Sequence, residues 1–341
     1  MEAEIRIKRL TIHQIEKQQS VLEAHLKTSK GLIPIDEKVD FLVEKLNDAF
    51  RNDEKVVRTE FLEEEEEEEV FQKSLKSFVE SETDELFYKF SINALKKMKK
   101  ILQSTTLATG GYFVFVNYQY GDGSYVGVFI VRDSKEVIFN RNDEDNFEVN
   151  MTTIINTDKL AMAVRIDSGR LEENKDRYLQ FTHKLSSTSN YFSEWIEADL
   201  LDKSEDDTKA LISLINGLTE FPINPETGER YGGEEFRIKV YDHINSAGRV
   251  VRLSELGKTF WNDSNYLTNY IDENEIQINH QFQAVSTILG RLKKYEIKSG
   301  KVKLSFSRAD IENGTINVGN DDQIIISDSA LRRKYDELNG Q

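Results

Sequence analysis

Cysteine is absent from the 341 residues. That removes disulfides, thiolate nucleophiles and cysteine-ligated zinc, and it fits a reducing compartment. Proline is scarce, at three residues, so long extended linkers are not expected. No window approaches the roughly 18 consecutive apolar residues that a bilayer-crossing helix requires. The opening Met1-Glu-Ala-Glu-Ile-Arg mixes charges at once and offers no apolar stretch for a secretory signal. A soluble, cytoplasmic protein with no membrane association is the expectation.

What is present points to a packed fold. Phe and Tyr number 19 and 13 in a chain that is 38% hydrophobic and 31% charged, which is polar but well short of disorder. The length suits about two domains. The net charge of −16 repels phosphate over the whole molecule, so any contact with nucleic acid has to come from a local basic patch.

Periodicity then places the elements. Ile5 to Ile15 alternates like a strand. Pro34 and Asp36 announce a helix, and Val39, Leu42, Val43, Leu46 and Phe50 supply its apolar stripe. The run Glu63 to Glu69 reads as a solvated helix start or loop. From Ser91 to Leu102, Ile92, Leu95, Met98 and Leu102 share one helical side while Lys96, Lys97 and Lys100 form a basic outer face. Gly110-Gly111 ends that helix. Tyr112 to Tyr118 and Tyr125 to Val131, joined through Gly121-Asp122-Gly123, form the clearest strand pair, and both runs are apolar on both faces, as at the centre of a covered sheet. Ile154-Ile155, Leu160 to Ile166 and Tyr178 to Phe181 read as further strands, and Tyr191 to Leu201 as helix.

The polar stretch Asp202 to Thr208 is the expected boundary, giving an N-terminal α+β domain over 1–203 and a C-terminal domain over 204–341. The second should be mainly helical, with helices around Ala210 to Leu218, Glu234 to Ile244 and Phe282 to Leu292. Short strands at Val302 to Phe306, Thr315 to Val318 and Ile324 to Ile326 follow, then a last helix from Ser329. The fold class is α+β, with a mixed sheet and packed helices in the first domain.

Catalytic signatures fail on inspection. Gly257-Lys258-Thr259 lacks the earlier glycine of a phosphate-binding loop, because position 252 is Arg252, and it reads as helix. Gly121, Gly123 and Gly127 have the wrong spacing for a dinucleotide fingerprint. His13, His25, His183, His243 and His280 are scattered, with no pair at metal-ligand spacing. Asn142 to Asn146 lacks the glycine and the closing glutamate of a calcium loop. Glu296-Ile297-Lys298 matches a metal-dependent nuclease only as a three-residue coincidence. No catalytic residue, metal or cofactor is assigned, and a non-enzyme is expected.

One segment departs from the acidic background. Arg291, Lys293, Lys294, Lys298, Lys301, Lys303 and Arg308 stand within 18 residues, with Glu296 the only acid from 291 to 308 and with Tyr295, Phe306 and serines interleaved. Phosphate recognition wants cations for charge and hydroxyls for positioning, with Lys301 and Lys303 on one face of a strand and Gly300 letting the backbone approach. A solvated helix end, its lysines facing the negative dipole terminus, explains the composition equally well. Arg332 and Arg333, beside Lys334, are a smaller candidate of the same kind.

A resemblance bears on these readings. Leu10-Thr-Ile-His13-Gln14, Gly110-Gly-Tyr-Phe-Val-Phe-Val-Asn-Tyr118, Val164-Arg165-Ile166-Asp167, Arg177-Tyr178-Leu179 with Tyr191-Phe192, and Leu331-Arg332 are similar to blocks of the NdpA/YejK family of bacterial nucleoid-associated proteins. The similarity spans most of the chain and is clearest from about residue 110 to 195. These are sheet and packing motifs, so no family residue carries over as catalytic. The resemblance implies a place at the nucleoid and binding to double-stranded DNA with little sequence preference. It also leaves open indirect contact through a DNA-processing enzyme such as a type II topoisomerase, with the acidic surface docking a basic partner, or a part in anti-phage defence. A homodimer is expected, because weak patches grip a long polyanion better when doubled.

Overall fold

Gly111–Tyr120 forms strand β4, and its unbroken apolar run serves two cores at once. Phe113 and Phe115 point into one buried cluster, and Val114, Val116 and Tyr118 into another on the opposite face. In a computed structural model of the chain, residues 4–338 are described apart from 63–69, 107, 142–146, 156, 158–159, 184–190, 201, 308–309, 312 and 320–322. The glutamate run 63–69 and the acidic loop 142–146 thus lie outside the described residues.

Around β4 the sheet is seven-stranded. Its order is β2 (His25–Thr28), β1 (Ile5–Glu16), β4, β5 (Gly123–Val131), β8 (Met162–Asp167), β9 (Leu179–Thr182) and β3 (Val56–Thr59), and every pairing is antiparallel. Gly110 leads into β4 where a Cβ would sit 1.9 Å from the carbonyl oxygen of Ile15, so no side chain fits. One face is covered by α1 (Glu37–Arg51), which buries Val43, Leu46 and Phe50. Asp36 caps that helix by accepting from the amides of Lys38 and Val39. The other face carries α2 (Val70–Ser81), α3 (Asp84–Gln103) and α5 (Tyr191–Ile196), which interlock through Phe71, Phe90, Phe115 and Trp195. A sheet clad on both sides explains why β4 and β5 lack polar alternation.

The chain divides into two units, residues 1–203 with 252–281, and residues 204–251 with 282–341. The return of 252–281 to the first unit brings it α8 (Leu253–Trp261) and α9 (Tyr266–Glu273). The second unit holds α6 (Ser204–Gly217), α7 (Gly233–Ser246), α10 (Ser286–Leu289), a 3-10 turn at Gly290–Lys293, the hairpin β12 (Lys294–Ser299) with β13 (Val302–Ser307), the short pair β14 (Ile316–Val318) with β15 (Ile324–Ile326), and α11 (Ser329–Leu338). The architecture is α+β, as expected. The helix expected over Phe282 to Leu292 is instead β11 (Gln281–Gln283), α10 and the 3-10 turn. Its apolar residues Phe282, Ile288, Leu289 and Leu292 are buried and mimic a helical stripe across three short elements. Gly257-Lys258-Thr259 lies within α8, a helix as read.

Two histidines of the first unit are buried without charge. His280 is 2% exposed, and its Nδ1 donates to the carbonyl of Asp53 at 2.9 Å. Burial, reinforced by the charge of Arg58, pushes it down to about 3, and burial pushes His13 down to about 4. Both values lie below the ordinary 6.5, so the unfolded chain takes up the protons first. Stability is therefore complete above pH 6.5 and falls as pH drops toward the folded values. Urea titrations at about pH 7 and about pH 5 should show His280 alone accounting for a loss of about 2 kcal/mol. A His280→Gln variant should lose that much less than the wild type between the two conditions.

Candidate nucleic-acid interface

The basic segment folds as a hairpin rather than a helix end. Gly300, at φ +57°, turns the chain between β12 and β13 in a conformation that suits a residue without Cβ. The register pairs Lys294 with Ser307, Glu296 with Ser305 and Lys298 with Lys303. These positions share one face, so three cation positions stand with two serines and a single acid. The other face holds the positions of Tyr295 with Phe306 and Ile297 with Leu304. Lys301 falls in the turn itself and not on the strand face beside Lys303, which corrects the expectation that the two project together.

Leading into the hairpin, Arg291 and Lys293 are exposed on the 3-10 turn. The ammonium of Lys293 lies 4.0 Å from the centroid of the Tyr241 ring on α7, a cation–π contact that holds the side chain in place. Lys294, Lys301 and Lys303 are exposed as well. At the far end of β13, Asp310 accepts from the amide and hydroxyl of Ser307 at 2.7 and 2.8 Å. Those bonds and the nearby Lys294 hold its carboxyl below the usual range. Arg308 lies outside the described residues.

The other candidate cations have different surroundings. Lys96 and Lys100 are exposed on α3. Lys97 turns inward to an ion pair with the buried carboxylate of Glu197. Glu197 also accepts from the amides of Phe71 and Gln72 at 3.2 and 2.9 Å, so the pair anchors the first turn of α2. On α11, Arg332 reaches both oxygens of Asp336 at 3.0 and 3.1 Å, and the Nε of Arg333 donates to the carbonyl of Ser329 at 3.4 Å. Lys96, Lys97 and Lys100 belong to the first unit and the hairpin to the second.

One arrangement looks catalytic and is not built for it. His13 Nε2 lies 2.9 Å from Ser91 Oγ. His13 Nδ1 accepts from the amide of Ser29 at 3.2 Å, so Nε2 carries the proton and donates to the serine. Ser91 in turn donates to the carbonyl of Tyr88 at 2.7 Å. With its proton-bearing nitrogen toward the hydroxyl, the imidazole cannot act as that serine's base. Both residues are buried.

Sequence reasoning missed a second polar cluster, in the first unit. Arg165 on β8 is 3% exposed, and its Nη2 and Nε donate to Gln180 Oε1 at 2.8 and 3.2 Å. Its guanidinium lies 4.6 Å from the Tyr125 ring and 5.3 Å from that of Phe50. Beside it, Asp272 pairs with Arg51 at 2.7 Å and Arg58 at 3.4 Å. Burial works against the charge of Asp272, yet Arg165, Arg58 and Arg51 outweigh it and hold the carboxyl below the usual range. Arg58, Arg165, Gln180 and Asp272 line a cavity of about 500 Å³, and Asp122, Glu273 and Glu275 add carboxylates to its lining. The one available signal was an arginine inside the apolar strand Val164-Arg165-Ile166.

A two-face-clad antiparallel sheet in one unit, with helices and short hairpins in the other, defines a mixed α+β protein. The chain belongs to the family described as nucleoid-associated protein YejK, whose model matches residues 11–332. It is 24% identical over 248 residues to a nucleoid-associated protein of Pseudomonas paraeruginosa, covering 72% of this chain and 69% of that one. Similarity to a nucleoid-associated protein of Metapseudomonas resinovorans is 26% over 164 residues, or 47% of each. The resemblance read from the strand and packing motifs is thereby borne out.

The inward turn of Lys97 separates it from its neighbours in a measurable way. Lys97→Ala should lower stability by about 2–3 kcal/mol, because it leaves the buried Glu197 without its cation. Lys96→Ala should stay within about 0.5 kcal/mol of wild type. Chemical denaturation of the two variants checks both.

Proposed function

We propose that this chain works at the bacterial nucleoid, in the cytoplasm, as a non-catalytic protein that binds double-stranded DNA with little sequence preference. Membership of a nucleoid-associated family supports the location. The observation that supports the DNA contact is the β12–β13 face, where the positions of Lys294, Lys298 and Lys303 lie with those of Ser305 and Ser307 and the single acid Glu296. Arg291, Lys293 and Lys301 extend it as exposed cations on the adjoining turns. Cations and hydroxyls on one strand face fit phosphates, whose contacts carry no sequence information, and this supports weak sequence preference. Lys96 and Lys100 on α3 and Arg332 and Arg333 on α11 are secondary contacts in this reading.

The net charge of −16 favours a second reading, in which the acidic surface docks a basic DNA-processing enzyme such as a type II topoisomerase and DNA contact is indirect. The two are separated by gel-shift titration of the purified protein at two salt concentrations. Binding should weaken steeply with salt, with a slope of about 0.9 per phosphate contact. Changing Lys293, Lys294, Lys301 and Lys303 together to Glu should lower affinity at least tenfold and flatten that slope, with plasmid left intact throughout. Absence of any shift by the wild type would transfer the assignment to the docking reading.

A further inference from the structure

Between β5 and β8, which are neighbours in the main sheet, the chain forms β6 (Asp133–Arg141) and β7 (Phe147–Ile155), a two-stranded sheet of its own. The register sets Val137 opposite Met151, Phe139 opposite Val149 and Arg141 opposite Phe147. Side chains alternate along a strand, so five large apolar residues share one face. The reverse face carries Glu136, Asn140, Glu148 and Asn150, together with Ile138 and Ile154. The first face holds the larger and more exposed apolar side chains, and it is uncovered. Phe147 is 73% exposed, Phe139 70%, Met151 70%, Val149 67% and Val137 56%. That amounts to about 600 Å² of exposed surface on five large apolar residues, the upper end of what monomers leave bare. A lone two-stranded ribbon is also marginal in water without a packed face.

We infer that the apolar face of the β6–β7 ribbon is the interface between two copies of this chain. Area is the first reason. About 600 Å² of apolar core with its polar margin approaches the roughly 800 Å² per partner of a stable interface. Self-complementarity is the second. Two ribbons packed face to face about a two-fold axis and running antiparallel place the Val137–Met151 row, third of the five rows on this face, at the centre against its own copy. Phe139 and Val149 then fall beside that centre, across from the Lys135 row of the other copy, whose aliphatic stem can cover them. Charge is the third reason. Asp133 at the base, Lys135 in the next row and Arg141 at the tip lie on this same face of β6. The antiparallel arrangement sets the arginine end of each copy against the aspartate end of the other, and a parallel one would set like charges together. Doubling the chain also doubles the cationic hairpins presented to a polyanion. The inference itself needs no DNA.

Mass measurement of the full-length protein by light scattering at micromolar concentration tests it. The wild type should run at twice the chain mass, the Phe139→Glu, Met151→Glu double variant at once, and Asn150→Lys, on the reverse face, at twice. Because the chain has no cysteine, Val137→Cys introduces a lone thiol at the centre of the proposed contact. Mild oxidation should link two such chains through a reducible bond, whereas Asn150→Cys should stay unlinked. A monomeric wild type, a double variant that keeps twice the mass, or linkage through position 150 in place of 137 would each overturn the assignment. The readouts are independent of the gel shift, so failure here leaves the nucleic-acid reading untouched, and the converse holds.

Discussion

A buried guanidinium organises the centre of the first unit. Arg165 sits in the middle of the sheet with no carboxylate within ion-pair distance among the described residues, a placement that would cost several kcal/mol if its donors were idle. They are not idle. Gln180 on β9 takes two of its bonds, Asn47 on α1 takes a third at 3.3 Å, and the rings of Phe50 and Tyr125 flank the plane. Asn47 Oδ1 also accepts from the hydroxyl of Tyr118 on β4 at 2.8 Å. Burial pushes that hydroxyl up to about 12, so it stays a donor. One side chain thereby joins β8, β9, β4, β5 and α1, and a one-residue slip in any of those strands would turn its member of the set away.

Charge is handled in opposite ways by the two units. In the first, Arg51 and Arg58 are taken out of water and fastened to Asp272, and Arg165 to Gln180 and Asn47, where they stabilise the fold and cannot be lent to a ligand without breaking it. In the second, cations stand on exposed strand and turn positions with solvent on them. Exposed charge acts within about a Debye length, roughly 8 Å at physiological salt. A strip of lysines can therefore attract phosphate at contact while the chain as a whole repels it. Salt tunes such a balance readily.

How much of this was legible follows the physics of each feature. The strands β4 and β5 could be read from their unbroken apolar runs, because burial on two faces leaves no other composition. The amphipathic α1 and α3 were readable for the related reason that one face alone is buried. The β6–β7 ribbon escaped notice except at Ile154-Ile155, since Val137-Ile138-Phe139 is a short apolar run between charged residues and shows no strict alternation until its partner strand is known. Arg51, Arg58 and Asp272 could not be connected at all, because the bond from Arg51 spans 221 residues and no local pattern marks either end. The cationic strip was visible as composition, but its hairpin was not. Val302 to Phe306 read as a strand, whereas Lys294 to Ser299 was masked by its own charge density.

The return of residues 252–281 to the first unit has a consequence for the order in which the chain can fold. Asp272 and the Asp53–His280 bond are supplied by that returning segment, so a nascent chain ending at residue 251 carries Arg51 and Arg58 with their acid still unmade. The ribosome must deliver the whole of 204–251 first, and that stretch belongs to another unit. Completion of the first unit therefore waits on synthesis of a segment it does not use, and the gap is an interval in which the arginine cluster is open to any anion nearby. In a cell crowded with nucleic acid, the timing of translation becomes part of how this protein reaches its native state.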